Sequence, residues 1–379
     1  MLFDRFLPLP LADSHQHASR PDAAEHVVQT FRQVLSYFGY ERLLLLGISD
    51  LAHRDGLVDP TNSMLCLYVK QQLHPRVYAF FGLQHFMDER DTADEYLRQA
   101  QRGWEMGFDG LKLFETKPSL RKKLGYALDS ERFGALFDYA EAEQIPLTIH
   151  VSDPAYFWEG SDEYESLELL RQNGWLCDET YPTRSQLFEE VDRVMQKHPS
   201  LRLCVAHMMC DGEDVRAAER FLSHYPHTAY DLTACPSEYA ITSRDPDAWR
   251  AFFLRHADRL YFGTDLENAV FGADGSLETW GKTSALLSRT YLEGSEPFEQ
   301  DGHLYRPLGL PESVIRKIYR DNFVARLGEA PRPIIPDRAR EECERLLQAI
   351  ESGRYGERLG DRGALYRQNL RTMREAFRP

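Results

Sequence analysis

Along the chain, short runs of consecutive apolar residues alternate with longer stretches in which apolar residues return every three or four positions. The runs are "LADSH" (11–15), "RLLLLGIS" (42–49), "VYAFFGLQH" (77–85), "GLKLFE" (110–115), "PLTIHV" (146–151), "LRLCVAHM" (201–208), "TAYDLT" (228–233) and "RLYFGTDL" (259–266). Strands that are apolar almost without alternation have neither face in water, the condition of a parallel sheet covered on both sides. The stretches between them, 21–38, 60–73, 91–106, 129–143, 184–198, 212–224 and 245–257, read as amphipathic helices, and 311–327 reads as an eighth. That last one begins at Pro311, suited to a first helical turn, and stops at Gly328. Strand and helix alternating eight times predict a (β/α)8 barrel. An open doubly wound sheet is the alternative, and the absence of a GxGxxG turn after any run counts against it.

Two connections exceed the usual handful of residues. Residues 152–183 follow the fifth strand and 267–310 follow the eighth, so both fall at the C-terminal rim, where barrel proteins build their pockets. They carry aromatics and charge (Tyr156, Trp158, Trp175; Glu267, Trp280, His303, Tyr305) and read as lids or pocket walls. Surface insertions or oligomer contacts are the other reading. From 329 the chain runs through the proline-broken "EAPRPIIPDR" into a helical segment, and 329–379 holds eleven arginines and no lysine. The expected organisation is a barrel domain over 1–328 and a helical extension over 329–379, packed on the barrel or on a partner subunit.

Charge narrows the partners. Sixty acidic against 45 basic residues leave a net −15 over 379 residues, which repels phosphate backbones and anionic lipid, so neither nucleic acid nor a membrane surface is expected. A small molecule is the expected partner, with a homo-oligomer left open. The six cysteines (Cys66, Cys177, Cys204, Cys210, Cys235, Cys343) form no CxxC pair and several sit in apolar runs, as free thiols do in a reducing compartment. No secretory leader pattern and no 18-residue apolar run occurs, so a cytoplasmic location is expected.

Candidate chemistry gathers at the strand ends. Residues i and i+2 of a strand point the same way, so His15 and His17 project together from the first run. His150 ends "PLTIH", His207 ends "LCVAH" and Asp265 ends "YFGTD". Each follows largely apolar residues at the end of its strand where barrel sites are assembled. Imidazoles with one carboxylate are a common ligand set for Zn2+ and similar divalent ions, and a catalytic centre keeps one position open for water. Such an ion lowers the pKa of its water from 15.7 to about 7. His85, ending the third strand, is a candidate for the pocket wall.

Taken together, "DSHQH", "TIH", "AH" and "FGTD" resemble the amidohydrolase superfamily of metal-dependent barrel hydrolases, in particular its amidohydrolase-related branch, which also holds decarboxylases and hydratases. The resemblance runs from residue 11 to about 328 and includes "YRDNFVARLG", similar to that branch's last barrel helix. It implies that His15, His17 and Asp265 hold the metal, joined by His150 if one ion is bound, with His207 hydrogen-bonding the attacking water or the substrate carbonyl. In binuclear relatives a carboxylated strand-4 lysine bridges two ions, and the strand-5 and strand-6 histidines bind the second. Lys112 in "GLKLFE" stands where that lysine would be; a neutral substrate-binding amine and a structural ion pair are its other readings.

The function that follows is hydrolysis of an amide, lactone or ester of a small molecule, carboxylated or not, with Asp265 and His207 catalytic. Lys112, His85, Trp158 and Arg121 are expected to contact substrate, Arg121 through the basic "ETKPSLRKK" loop. Non-oxidative decarboxylation or hydration at the same centre, and a non-catalytic binding protein with a vestigial site, are the alternatives.

Overall fold

The computed structural model describes residues 5–51, 56–233, 236–272 and 274–378, so Cys235 lies outside the described residues. All eight expected strands form: β1 (Leu11–His17), β2 (Tyr40–Leu46), β3 (Val77–Gly82), β4 (Gly110–Thr116), β5 (Leu147–Val151), β6 (Leu203–Val205), β7 (Thr228–Asp231) and β8 (Leu260–Tyr261). Each pairs in parallel with the next. The eighth run is broken in the middle. Its first part, β8, pairs with β7; the chain then crosses over, and β9 (Leu266–Glu267) pairs with β1, Gln16 opposite Leu266 and His17 opposite Glu267. Across the break, the Ser14 N–H donates to Phe262 O (2.9 Å) and the Asp265 N–H to His15 O (2.8 Å). These bonds close the sheet on itself, and the chain is a (β/α)8 barrel.

Gly263 makes that crossing possible. A Cβ there would lie 2.7 Å from Thr233 Cγ2 and 3.1 Å from the Cβ of His15, so any side chain would have to push its neighbours aside. Asp13 then latches the crossing to β1. Its carboxylate accepts from the Thr264 hydroxyl (2.5 Å) and N–H (3.2 Å), from the His15 N–H (3.0 Å) and from Gln16 Nε2 (2.7 Å). The first residue of the "DSHQH" motif therefore seams the barrel, while His15 and His17 face its mouth.

Seven of the helices fall between the strands where the 3.6-residue period puts them, from Ala24–Tyr37 to Pro246–Arg255. Their starts follow local capping: Thr92 accepts from the Glu95 N–H ahead of Ala93–Met106, and Thr183 with Gln186 forms a capping box ahead of Arg184–Lys197. The eighth helical stretch departs from a single helix. Glu312–Arg316 gives way to a π-turn at Lys317–Asp321 before Asn322–Leu327, with Pro311 as the N-cap. The Ile318 carbonyl in that turn receives the Phe262 N–H (3.0 Å), and Asn322 Nδ2 bonds the carbonyls of Ala257 and Leu260 (2.7 Å each). The irregular turn thus holds the strand that must break. Phe323 joins Ala12, Leu44, Leu46, Tyr78 and Phe80 in a separate core inside the barrel.

Both long connections carry structure of their own. Residues 152–183 include the short helices Tyr156–Glu159 and Leu167–Gln172, around a small core of Tyr156, Phe157, Leu170 and Cys177. Residues 267–310 include the helix Thr279–Glu293 and an antiparallel hairpin, Phe298–Gln300 with His303–Tyr305. The buried face of that helix includes Ser288 and Arg289 beside Leu287, Tyr291 and Leu292, so its apolar spacing is interrupted in the sequence. Beyond the barrel, helices Pro336–Glu351 and Gly363–Ala376 pack on each other and against Ala24–Tyr37, Asn62–Gln72 and Ala93–Met106. Among the described residues, no helix is long and apolar enough to cross a membrane.

Candidate metal centre

The inner side of a barrel strand is every second residue, which puts Lys112 and Phe114 of β4, Thr148 and His150 of β5, and Ala229 and Asp231 of β7 on the axis. At the C-terminal mouth His15, His17, His207 and Asp265 converge. Ligand atoms of His15, His207 and Asp265 lie within 4.8 Å of one another. His17 Nε2 is 3.0 Å from His15 Nε2 and 3.2 Å from Asp265 Oδ1, which is in turn 3.5 Å from His15 Nε2.

The hydrogen bonds fix which nitrogen of each ring is free. A carboxylate or carbonyl oxygen only accepts. His15 therefore donates from Nδ1 to Asp231 Oδ2 (2.9 Å), and His17 from Nδ1 to Leu46 O (2.8 Å). The Thr233 hydroxyl donates to Asp231 Oδ1 (2.8 Å), so it accepts from His207 Nδ1 (2.5 Å). In the neutral rings each Nε2 is then bare. Two such lone pairs facing each other at 3.0 Å repel unless a proton or a metal ion lies between them. Two imidazole nitrogens each about 2.0–2.1 Å from one Zn2+ stand roughly 3.0–3.4 Å apart. The residues present fit a divalent ion, and the imidazole and carboxylate set suits Zn2+.

Electrostatics keep the rings in ligating form. Burial pushes His15 below its ordinary range against the pull of Asp231, and it pushes His207 well below. Burial opposes ionisation of Asp231, yet His15 and His207 hold its carboxyl well below the usual range. Backbone strain aims two of the groups. Asp265 has φ 56°, and His207, Met208, Met209 and Cys210 form a left-handed turn at φ 55°, 49°, 69° and 51°. Each such non-glycine residue costs roughly 1–2 kcal/mol. The His207 N–H is held in place by Asp231 Oδ1 (2.9 Å).

The other expected residues divide. His150 reaches the same mouth, its ring 5.0 Å from that of His207, but its Nε2 is turned to Asp153 Oδ1 (3.1 Å), whose two oxygens also accept from Lys117 Nζ (2.8 and 3.0 Å). Burial, with Lys117 nearby, lowers His150 to about 4. The geometry therefore brings His207 rather than His150 in among the donors. Lys112 lies beneath them, and its Nζ is buried without a hydrogen-bond partner. Burial brings that amine down to about 8 against the pull of Asp231 and Asp265.

Three expected substrate contacts lie elsewhere. His85 is sealed behind the strands between Glu115 (3.0 Å) and Tyr96 (2.7 Å). Arg121 is paired with buried Glu190, and Trp158 donates from its indole to Pro182 O. The cavity of about 610 Å3 over the centre is instead lined by Phe114, Lys117, Lys122, Lys123, Trp175 and Tyr181 beside the histidines and Asp265.

Asp231 is the functional residue the sequence reading passed over. Its signal was present, since in "TAYDLT" an acid ends an apolar strand as Asp265 does.

Such a molecule, a closed parallel barrel with imidazoles and a carboxylate gathered at its C-terminal mouth, belongs to the class of barrel proteins that carry a polar reaction centre at their strand ends. The amidohydrolase family model matches residues 12–323, and the chain belongs to that family. No curated protein matches it. Among solved structures it is similar to a 2,6-dihydroxybenzoate decarboxylase from Rhizobium (15% identity, 84% of this chain and 98% of that one, TM-score 0.50). An uncharacterised TIM-barrel protein from Bordetella bronchiseptica (13%, 85% and 100%, TM-score 0.50) and a putative amidohydrolase from Staphylococcus aureus (12%, 84% and 100%, TM-score 0.50) are similar too. At these identities the likeness is one of fold.

Proposed function

We propose that the protein is a divalent-metal-dependent hydrolase that cleaves an amide, ester or lactone bond in a small carboxylated molecule. The observation that carries this reading is the pair of Nε2 atoms of His15 and His17, 3.0 Å apart beside Asp265, with a ligand atom of His207 within 4.8 Å of those of His15 and Asp265. These four residues would hold the ion, most simply a single Zn2+; a second would need Lys112 carboxylated and His150 turned from Asp153. The bound ion supplies Lewis acidity toward a carbonyl oxygen and makes water a stronger acid at neutral pH.

The chain's own groups do the rest. Asp265 has a side chain 42% exposed at the cavity, so one carboxylate oxygen remains to take the proton of the attacking water and pass it to the leaving group. Asp231 holds His15 directly, and His207 through Thr233, in the ligating tautomer. Lys122 and Lys123 offer a substrate carboxylate its counter-charge, and Phe114 and Trp175 exclude water from the flat part of the molecule.

The test starts from protein stripped by chelator and reloaded with Zn2+, offered carboxylated lactones, esters and amides, with CO2 release from aromatic acids followed in parallel. Hydrolysis that appears with Zn2+ and disappears with chelator is the expected result. Release of CO2 without hydrolysis would replace the reading with decarboxylation, and protein that neither retains Zn2+ nor turns anything over would leave only a binding role.

A further inference from the structure

At the end of the barrel where the strands begin, a pocket of about 170 Å3 is lined by Arg202, His227, Asp258, Tyr261, Asn322 and Arg326. Arg202 precedes β6, His227 precedes β7 and Asp258 precedes β8, whereas His17, His207 and Asp265 stand at or just beyond the ends of their strands. The pocket and the candidate metal centre therefore occupy opposite faces of the barrel.

Two guanidinium groups meet in this pocket without a counter-charge. Arg202 donates from Nη1 to Gln144 O (3.0 Å) and from Nη2 to Arg326 O (2.6 Å). Arg326 donates from Nη2 to Leu147 O (2.6 Å) and to Thr148 Oγ1 (3.0 Å). Such oxygens satisfy an N–H but carry no net charge, and each guanidinium has more N–H donors than these bonds use. Neither arginine has a carboxylate partner among the described residues. Burial, together with the neighbouring Arg326, holds Arg202 below its ordinary range. Asp258, the carboxylate on the wall, is taken by Lys317 at 2.7 Å, and Asn322 gives its amide to Ala257 and Leu260. The rings of Phe80 and Tyr261, with centres 5.5 and 5.3 Å from Arg326 Cζ, exclude water from that guanidinium and strengthen its pull on an anion.

We propose that this pocket binds a small tetrahedral oxyanion, of the phosphate or sulfate class, between Arg202 and Arg326. Guanidinium forks match the oxygens of such an ion with paired, charge-assisted hydrogen bonds, and its charge relieves the repulsion between the two arginines. A volume of about 170 Å3 holds one such ion and little more, so the free ion is the expected source rather than the phosphoryl end of a larger molecule. Once bound, it ties the start of β6, through Arg202, to the last barrel helix, through Arg326, and so acts on stability. The site is independent of the hydrolase reading, because none of its residues touches the metal centre.

Sulfate is titrated into the Zn2+-loaded full chain, and sulfate and inorganic phosphate into the chelator-stripped one, by calorimetry and thermal unfolding, with sodium chloride at equal ionic strength as the blank. The expected result is saturable binding with Kd below about 5 mM, and a rise in Tm of about 2 °C at ten times that concentration. Arg202→Gln should weaken binding about tenfold or more, while His15→Ala, at the other end of the barrel, should leave it within about twofold. Asp258→Asn changes an exposed side chain and frees Lys317 beside the ion, so it should tighten binding about threefold. Absence of saturable binding up to about 20 mM, or binding that Arg202→Gln leaves within about twofold, would overturn the site. If Arg202→Gln does not fold, the Asp258→Asn result decides: tighter binding supports the site and an unchanged Kd overturns it. Phenyl phosphate binding more tightly than phosphate would overturn the free ion in favour of the phosphoryl end of a larger molecule.

Discussion

Replacing Asp231 by asparagine keeps the shape of the side chain and removes what it does. One carboxylate oxygen accepts from His15 Nδ1 (2.9 Å), and the other from the His207 N–H (2.9 Å) and the Thr233 hydroxyl (2.8 Å). The amide has one accepting end and one donating end, so neither orientation satisfies the site. With NH2 toward His15, that ring must accept at Nδ1 and carry its proton at Nε2, in the 3.0 Å gap to His17 where an ion would bind. With NH2 toward His207, a donor meets the His207 N–H and the left-handed turn loses its anchor. Partners of this kind change metal affinity by about 10–100-fold, or roughly 1.4–2.7 kcal/mol at 1.36 kcal/mol per decade. Zn2+ titration of the stripped protein against a chelating indicator, with circular dichroism as the control for folding, measures this directly. A folded Asp231→Asn protein that binds Zn2+ within twofold of the parent would refute the assignment of tautomers and the centre built on it.

His15→Ala and Asp265→Asn should each lower both metal content by elemental analysis and turnover, and unchanged values for both would remove the site. Glu238 is buried, and burial together with Glu213 raises its carboxyl from 4.5 to about 8. A raised folded-state pKa gives stability that is full below about 4.5 and is lost as pH rises through about 8, at a slope of roughly 1.4 kcal/mol per pH unit. Melting temperatures from pH 5 to 9 should therefore fall more steeply in the parent than in Glu238→Gln, and parallel curves would contradict this. Gly263→Ala should destabilise the barrel by about 1–3 kcal/mol in urea unfolding, because its Cβ must push against Thr233 and His15.

How well a feature could be read from the chain depended on whether its cause was local. Strand positions came through because a doubly covered parallel strand must be apolar along its length, and helix positions came through because the buried face of a helix returns every three or four residues. His15 and His17 were legible as a pair for the same reason, since the two-residue period of a strand is enough to align them. The break between β8 and β9 was not, because "RLYFGTDL" reads as one continuous strand; it splits only because β7 and β1 compete for its two halves as the barrel closes. His85 failed as a pocket residue for a related reason. The strand ends at Gly82, and the chain beyond it turns His85 outward to Glu115 and Tyr96.

What the amino-acid order determined by itself was the repeat of strand and helix, the chemical kinds of group at the strand ends, and with them the family. The tertiary structure alone decided which of those groups meet. His207 comes in and His150 turns to Asp153, because a strained turn after β6 is held by Asp231 from the next strand, and Asp153 is held by Lys117. Tautomers and ion-pair choices depend on distances between residues far apart in the chain. Only closure of the barrel sets those distances.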